Sequence, residues 1–212
     1  LSLSSYNELR QAIQDWTLRE DLAQRTDDFI AFVEADLNRR LRVRRMLTRD
    51  TFTADAQYEA LPSDFLAFER IAITSLSPDR ELEYVTPQAM SYERQNNSAA
   101  GVPFAYSIVG DEIEFLPTPG TDYTVERLYY ASIPALTSVN TSNWVLTQNP
   151  DVYLHGCLSH AFKYAMDEQR AAVHAADYAS GVQEIIESDK KERIGAQPRM
   201  RMRPIGRRGT IG

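Results

Sequence analysis

Tyr106-Ser107-Ile108-Val109-Gly110-Asp111-Glu112-Ile113-Glu114-Phe115 is the stretch on which the fold turns. Apolar residues alternate along both arms, and Gly110-Asp111 supplies the two residues that a tight turn between antiparallel strands needs. The segment reads as a β-hairpin, so the middle of the chain is sheet. Just downstream, Pro117-Thr118-Pro119-Gly120 bends into a strand from Tyr123 to Ala131, with Val125, Leu128 and Tyr130 near alternation. Upstream, Leu66, Phe68, Arg70, Ile71 and Ile73 fit a strand entered from the Leu61-Pro62-Ser63-Asp64 turn. Glu81 to Thr86 fits another, Pro87 to Arg94 a short helix capped by Thr86, and residues 96–101 a loop. Together they predict an antiparallel sheet of four to six strands.

On either side the apolar period lengthens to that of a helix. Tyr6, Leu9, Ile13 and Trp16 recur at intervals of three and four over residues 5–17, after Ser4 or Ser5 as cap. A second helix follows Thr26 as N-cap, with Asp27 and Asp28 in the first turn, where acids suit the helix dipole. Its stripe is Phe29, Ile30, Val33, Leu37 and Leu41. Helical period returns at Asn149-Pro150-Asp151, a cap followed by a proline well placed at the first position. There Leu154, Cys157, Leu158, Ala161 and Ala165 mark a buried face, with Phe162 and Met166 beside it. After a break at Asp167-Glu168 a last helix runs to about Glu192 on Ala171, Ala175, Tyr178, Val182, Ile185 and Ile186. Seven alanines (Ala161, Ala165, Ala171, Ala172, Ala175, Ala176, Ala179) would let these two helices approach closely. The predicted class is α+β. Two N-terminal helices (1–45) and two C-terminal helices (149–192) form a four-helix bundle, with an inserted antiparallel β domain (46–148) and an extended basic tail (193–212).

With 212 residues, 43% of them hydrophobic, the chain can bury a core without a disulfide or metal. Cys157 is its single cysteine, which excludes an internal disulfide framework and a Cys-rich zinc site. The longest apolar run is five residues, Phe29 to Val33, so neither a transmembrane helix nor a signal peptide is expected, and the chain reads as cytosolic. Net charge is −7, unevenly spread: after Glu192 come six arginines and no acid, leaving 17 of the 23 basic residues with all 30 acidic ones. An acidic body argues against non-specific DNA binding, and an Arg-rich tail calls for a partner.

Little in the chain has the pattern of catalysis. Cys157 and His160 are neighbours on a predicted helix, but both lie on or beside its apolar stripe, where burial silences a thiol. His155, His160 and His174 contain no i, i+4 metal pair and read as structural, so neither metal nor cofactor is expected. Acidic pairs such as Asp167/Glu168 read as helix starts. No P-loop, dinucleotide-binding glycine motif or nucleophile elbow occurs. Arg39, Arg40, Arg42, Arg44, Arg45 and Arg49 form a cluster suited to ion pairs within the chain or between subunits, with phosphate contact the alternative. In the tail, Arg199, Met200, Arg201, Met202 and Arg203 alternate charge with apolar knobs, as a docking peptide does, and Arg207 and Arg208 follow. A free tail tuned for solubility or nucleic acid is the alternative there.

Several phrases resemble the head-to-tail adaptor (connector) proteins of tailed bacteriophages: Tyr6-Asn7-Glu8-Leu9-Arg10, Ala60-Leu61-Pro62-Ser63-Asp64-Phe65-Leu66, and Asn149-Pro150-Asp151-Val152-Tyr153-Leu154-His155-Gly156-Cys157-Leu158. The Met166-Asp167-Glu168-Gln169-Arg170 turn before an Ala-rich helix is similar too, and the likeness spans most of residues 5–192. It implies a structural virion protein of the neck, assembled in the host cytoplasm. Such a protein is a ring homo-oligomer, usually of twelve copies, that joins the portal protein to a tail or nozzle protein. The ring forms part of the channel for double-stranded DNA, without sequence-specific binding, catalysis, cofactor or membrane contact. The resemblance also sends the C-terminal segment to the portal. The competing reading is a small soluble binding protein or enzyme with a site between helices and sheet.

Overall fold

The computed structural model describes residues 3–195. Among the described residues the chain folds into six α-helices and two four-stranded sheets, an α+β architecture. Helix α1 (Tyr6–Thr17) opens with a reciprocal cap: the Ser5 hydroxyl accepts from the Glu8 amide, and the Glu8 carboxylate accepts from the Ser4 and Ser5 amides. Helix α2 (Thr26–Arg40) buries Phe29, Ile30, Val33 and Leu37, as the periodicity predicts. Thr26 is not its cap, however. A 3-10 turn over Glu20–Arg25 runs straight into the helix, so Thr26 is already helical and its hydroxyl donates back to the Ala23 carbonyl at 2.6 Å.

The β region departs from one antiparallel sheet. Strands β1 (Leu47–Ala54), β3 (Phe65–Ile73), β4 (Arg80–Glu81) and β8 (Tyr123–Ala131) make one sheet in the order β1-β8-β3-β4. The other runs β2-β7-β6-β5, from β2 (Tyr58–Ala60), β5 (Glu83–Tyr84), β6 (Ala105–Val109) and β7 (Glu112–Leu116). The hairpin of β6 and β7 turns at Gly110, whose φ of 63° only glycine takes cheaply. The single strand expected over 81–86 is split at Leu82 between the two sheets. Its second half, β5, pairs with β6 in parallel, which corrects the expectation of antiparallel pairing throughout. Ala54, Ile71, Ile73, Tyr106, Ile113, Phe115 and Val125, drawn from both sheets, form the core between them. Helix α3 (Pro87–Asn96) starts at the Thr86 cap and closes one end through Met90. Arg94 ties it down, bonding the Glu114 carboxylate at 2.8 Å and the Phe115 carbonyl at 2.7 Å.

A one-turn helix α4 (Trp144–Gln148), capped by Asn143, precedes α5 (Pro150–Tyr164). Pro150 takes the first position of α5, but the Asn149 side chain caps nothing. Helix α5 is the hub of the helical core, packing against α1, α2, α4 and α6 (Glu168–Gly195). Helix α6 outruns its expected end at Glu192. Near that end, Asp189 binds the Arg44 amide at 3.0 Å and the Arg193 guanidinium at 2.8 Å, while Arg193 also reaches the Tyr130 hydroxyl at 3.2 Å. The expected docking residues Arg199, Met200, Arg201, Met202, Arg203, Arg207 and Arg208 lie outside the described residues.

Close approach of the helices comes from two glycines more than from the alanines. A Cβ on Gly156 would stand 2.8 Å from Val33 Cγ2 of α2 and 3.1 Å from the Tyr178 ring of α6, and one on Gly181 would stand 2.7 Å from Val152 Cγ2. Ala161 is buried, but Ala172, Ala175, Ala176 and Ala179 are exposed. In an exposed helix Gly156→Ala would gain about 1 kcal/mol of propensity. Here overpacking costs about 1–3 kcal/mol and wins. Urea unfolding should show a net loss of about 1–2 kcal/mol for this variant. Unchanged stability would mean that α2 and α6 draw apart freely.

Candidate functional site

Phe32, Ala35, Asp36, Arg39 and Arg40 share one face of α2 by helical spacing. Opposite them stand Ala172, Ala175 and Ala179 of α6, with Ser159, His160 and Lys163 of α5 between. They line an open groove of about 860 Å³. Its apolar surface is in water: Phe32 is 54% exposed and Met166, expected beside a buried face, is 87% exposed. Met166 sits at the α5–α6 turn with a φ of 58°, which swings it off the stripe of α5.

The groove's polar floor is organised by Asp36. Tyr178 donates its hydroxyl to Asp36 Oδ2 at 2.8 Å, Arg40 Nε stands 2.9 Å from the same oxygen, and Arg39 Nη2 is 3.1 Å from Oδ1. Burial pushes the Asp36 carboxyl up, but the Tyr178 hydroxyl and the two guanidiniums outweigh it and hold it below the ordinary carboxylate range. Arg44 pairs with Asp189 and Glu192, and Arg49 with Glu126 at 2.7 Å. Arg42 donates to the Asn38 carbonyl, closing the end of α2. Arg45 is exposed and makes no ion pair among the described residues. Four of the six clustered arginines thus have acidic partners within the chain. Exposed pairs of this kind contribute about 0–1 kcal/mol each, so they set orientation more than stability.

Cys157 and His160 do not form a nucleophilic pair. The Cys157 thiol is fully buried and pushed up, first by burial and then by the Glu34 charge. His160 faces the Phe32 ring at 5.6 Å, lowered by burial and then by Lys163. The buried polar groups of the helical core serve structure instead. Asn143 Nδ2 donates to the Tyr153 hydroxyl at 2.7 Å, Tyr153 donates to Glu34 Oε1 at 3.3 Å, and the Leu136 amide donates to the same oxygen at 2.7 Å. This chain straps the 132–143 segment onto α2 and α5. Sequence reading also missed a pairing across the α5–α6 turn, where His155 and His174 meet.

A solvent-facing apolar groove, arginines matched to acids, and polar core groups committed to one another are what the described residues bring together. The family model described as SU10 adaptor protein matches residues 4–208, nearly the whole chain, and the chain belongs to that family, one of phage head-to-tail adaptors. Its members are structural proteins of the virion that interact with other head and tail proteins, and they are not enzymes. No curated protein matches the chain. Among the described residues no helix is long and apolar enough to cross a membrane.

Two measurements check this account of the buried groups. Cys157 should react with a thiol probe at neutral pH only as fast as the protein unfolds, and rapid labelling of the folded chain would reopen a nucleophilic role. Burial raises the Glu34 carboxyl more than the Leu136 amide and Tyr153 hydroxyl lower it. Its contribution to stability is therefore complete below the ordinary carboxylate range near pH ~4 and is lost as pH rises through the folded value. Glu34→Gln keeps an accepting oxygen and removes the titration. Its stability relative to the unaltered chain should improve as pH rises above the ordinary carboxylate range in urea unfolding; parallel curves would refute a raised Glu34.

Proposed function

We propose that the chain is the repeating subunit of a head-to-tail adaptor ring of twelve copies, which joins the portal to the tail or nozzle and forms part of the DNA channel in the virion neck. Family membership supports the adaptor role. The observation that carries the ring is the groove between α2, α5 and α6. Contiguous exposed apolar surface marks a protein–protein contact, and a ring gives every copy the same one. In this reading the next copy covers Phe32 and Met166. Arg39 and Arg40 line that face, and Arg39, Arg40, Arg42, Arg44, Arg45 and Arg49 are the arginines that would meet acids of the neighbour.

The finer architecture fits the same reading. Helices α1, α2, α5 and α6 act as a four-helix bundle, supported by the packing of the other three against α5. Residues 1–45 and 149–192 form this bundle, residues 46–148 an inserted β domain, and residues 193–212 a tail. Arg199, Met200, Arg201, Met202, Arg203, Arg207 and Arg208 anchor the ring to the portal, where many weak tails act at high effective concentration. All 30 acidic residues lie before the tail, so the channel wall is acidic or mixed and duplex DNA slides past it. The complex assembles in the host cytoplasm before entering the neck.

Mixing the protein with candidate portal and viewing the product by electron microscopy tests the proposal. Full-length chain should form rings on the portal. Phe32→Glu lies at an exposed position and should leave the circular dichroism spectrum and melting unchanged, yet block ring closure. Rings that close normally in this variant would remove the groove from the interface, and portal binding without rings would overturn the ring itself. Deleting residues 196–212 should leave the body folded and weaken portal attachment at two salt concentrations. Equal attachment would show that the tail is not the anchor.

A further inference from the structure

His155 of α5 and His174 of α6 face each other across the helix hairpin, with their Nδ1 atoms 3.0 Å apart. Asp177 lies one turn beyond His174 on the same helix face and brings its Oδ2 to 3.7 Å from His155 Nδ1. One ligand atom from each of the three residues lies within 4.8 Å of the others. Three potential ligand atoms, two nitrogens and an oxygen, thus gather in one place from two helices. The two imidazoles, which share a hydrogen bond there, become lone-pair donors together once that shared proton is displaced.

The spacing suits a small divalent ion. Zinc bonds to imidazole nitrogen and carboxylate oxygen are about 2.0–2.2 Å long, which places tetrahedral ligand atoms roughly 3.3 Å apart. The two nitrogens already stand near that separation. Asp177 is exposed, so its carboxylate is free to swing inward without disturbing the core. The surroundings hold the rings in place. Trp16 of α1 stands edge-on to both imidazoles at 6.2 and 6.1 Å, and Phe162 stacks on His174 at 5.4 Å with an interplanar angle of 11°. Apolar walls of this kind fix ring orientation and limit water, while the Asp177 side stays open. Two imidazoles and one carboxylate without a thiolate favour zinc, nickel or copper over magnesium or calcium.

We propose that His155, His174 and Asp177 bind a divalent transition-metal ion of the zinc class, stapling α6 to α5 beside α1. The site is structural, with three protein ligands and a fourth position left to water. It stands independently of the ring reading, because every ligand belongs to one chain. Sequence search by i, i+4 spacing could not see it, since His155 and His174 are neighbours only once the two helices fold back on each other.

Untagged full-length protein, freed of metal with a chelator, would be titrated with zinc by calorimetry. The chain has three histidines and one cysteine, so few other sites compete. The expected result is one ion per chain, with a melting temperature that rises as zinc is added. His155→Ala and His174→Ala should each weaken binding by at least about tenfold, as should Asp177→Asn, whereas His160→Ala should leave it unchanged. Cobalt in place of zinc should give the intense visible absorption of a tetrahedral centre, a readout that needs no variant. Absence of zinc binding by the unaltered protein, a cobalt spectrum like that of the hydrated ion, or undiminished binding in both histidine variants would each overturn the proposal.

Discussion

The absence of a side chain at Gly156 sets the spacing of the helical core. At that one point of α5 the flanks of α2 and α6 come so near that a methyl group would collide with Val33 and with the Tyr178 ring. Everything around it inherits that distance. Tyr153, one turn earlier on α5, is fully buried and reaches the Glu34 carboxylate only because α2 lies this close. Tyr178, held against the same spot, can donate to Asp36 and so determine where the arginines of α2 point. The buried Glu34 network is costly to break, because removing one member leaves an amide or hydroxyl without a partner in a dry core. It holds the connecting segment, the capping Asn143 and α2 in one arrangement.

Local chemistry was the legible part of the chain. The Gly110-Asp111 hairpin, the strand from Tyr123 to Ala131, the Thr86-capped helix and the Ser5 cap were all readable, because each is decided by neighbours in sequence. Strand β1 was not. Its Thr48, Arg49, Asp50 and Thr51 lie within the expected β domain but carry no apolar alternation to mark a strand. Its order comes from full-length pairing with β8, where Asp50 stands opposite Arg127 and takes its guanidinium at 2.6 Å. Arg127, packed 4.7 Å from the Phe52 ring, stays largely out of water by that arrangement. Division into two sheets was equally hidden, since the change at Leu82 depends on strands far away in sequence.

The helical pair shows why periodicity is an incomplete guide to a site. It groups residues by face but is silent on which face meets which helix. The exposed alanines of α6 belong to the groove, while Tyr178, Val182 and Ile185 make the contact with the core. The missing quantity was register. Folding α6 back on α5 through the turn at Met166 brings His155 to His174 and Val152 to Gly181, pairs whose midpoints in sequence differ by two residues. The predicted break at Asp167-Glu168 does not give that register, because the true turn and the slant of the two helices shift the pairing by several residues. In the arginine cluster, Arg39 and Arg40 take the nearby Asp36, whereas Arg44 and Arg49 take Asp189 and Glu126 from remote segments that spacing alone does not indicate.

Helix α6, with 28 residues, is a rod about 42 Å long. Its far end is moored to both halves of the molecule, to Arg44 ahead of the first strand and through Arg193 to Tyr130 at the end of β8. A pull applied to the chain beyond Gly195, along the rod, would load these moorings and the Gly156–Gly181 seam in shear, all together. A pull across the rod would peel the same bonds one at a time. Mechanical strength in this protein is therefore directional, greatest along the axis of its longest helix.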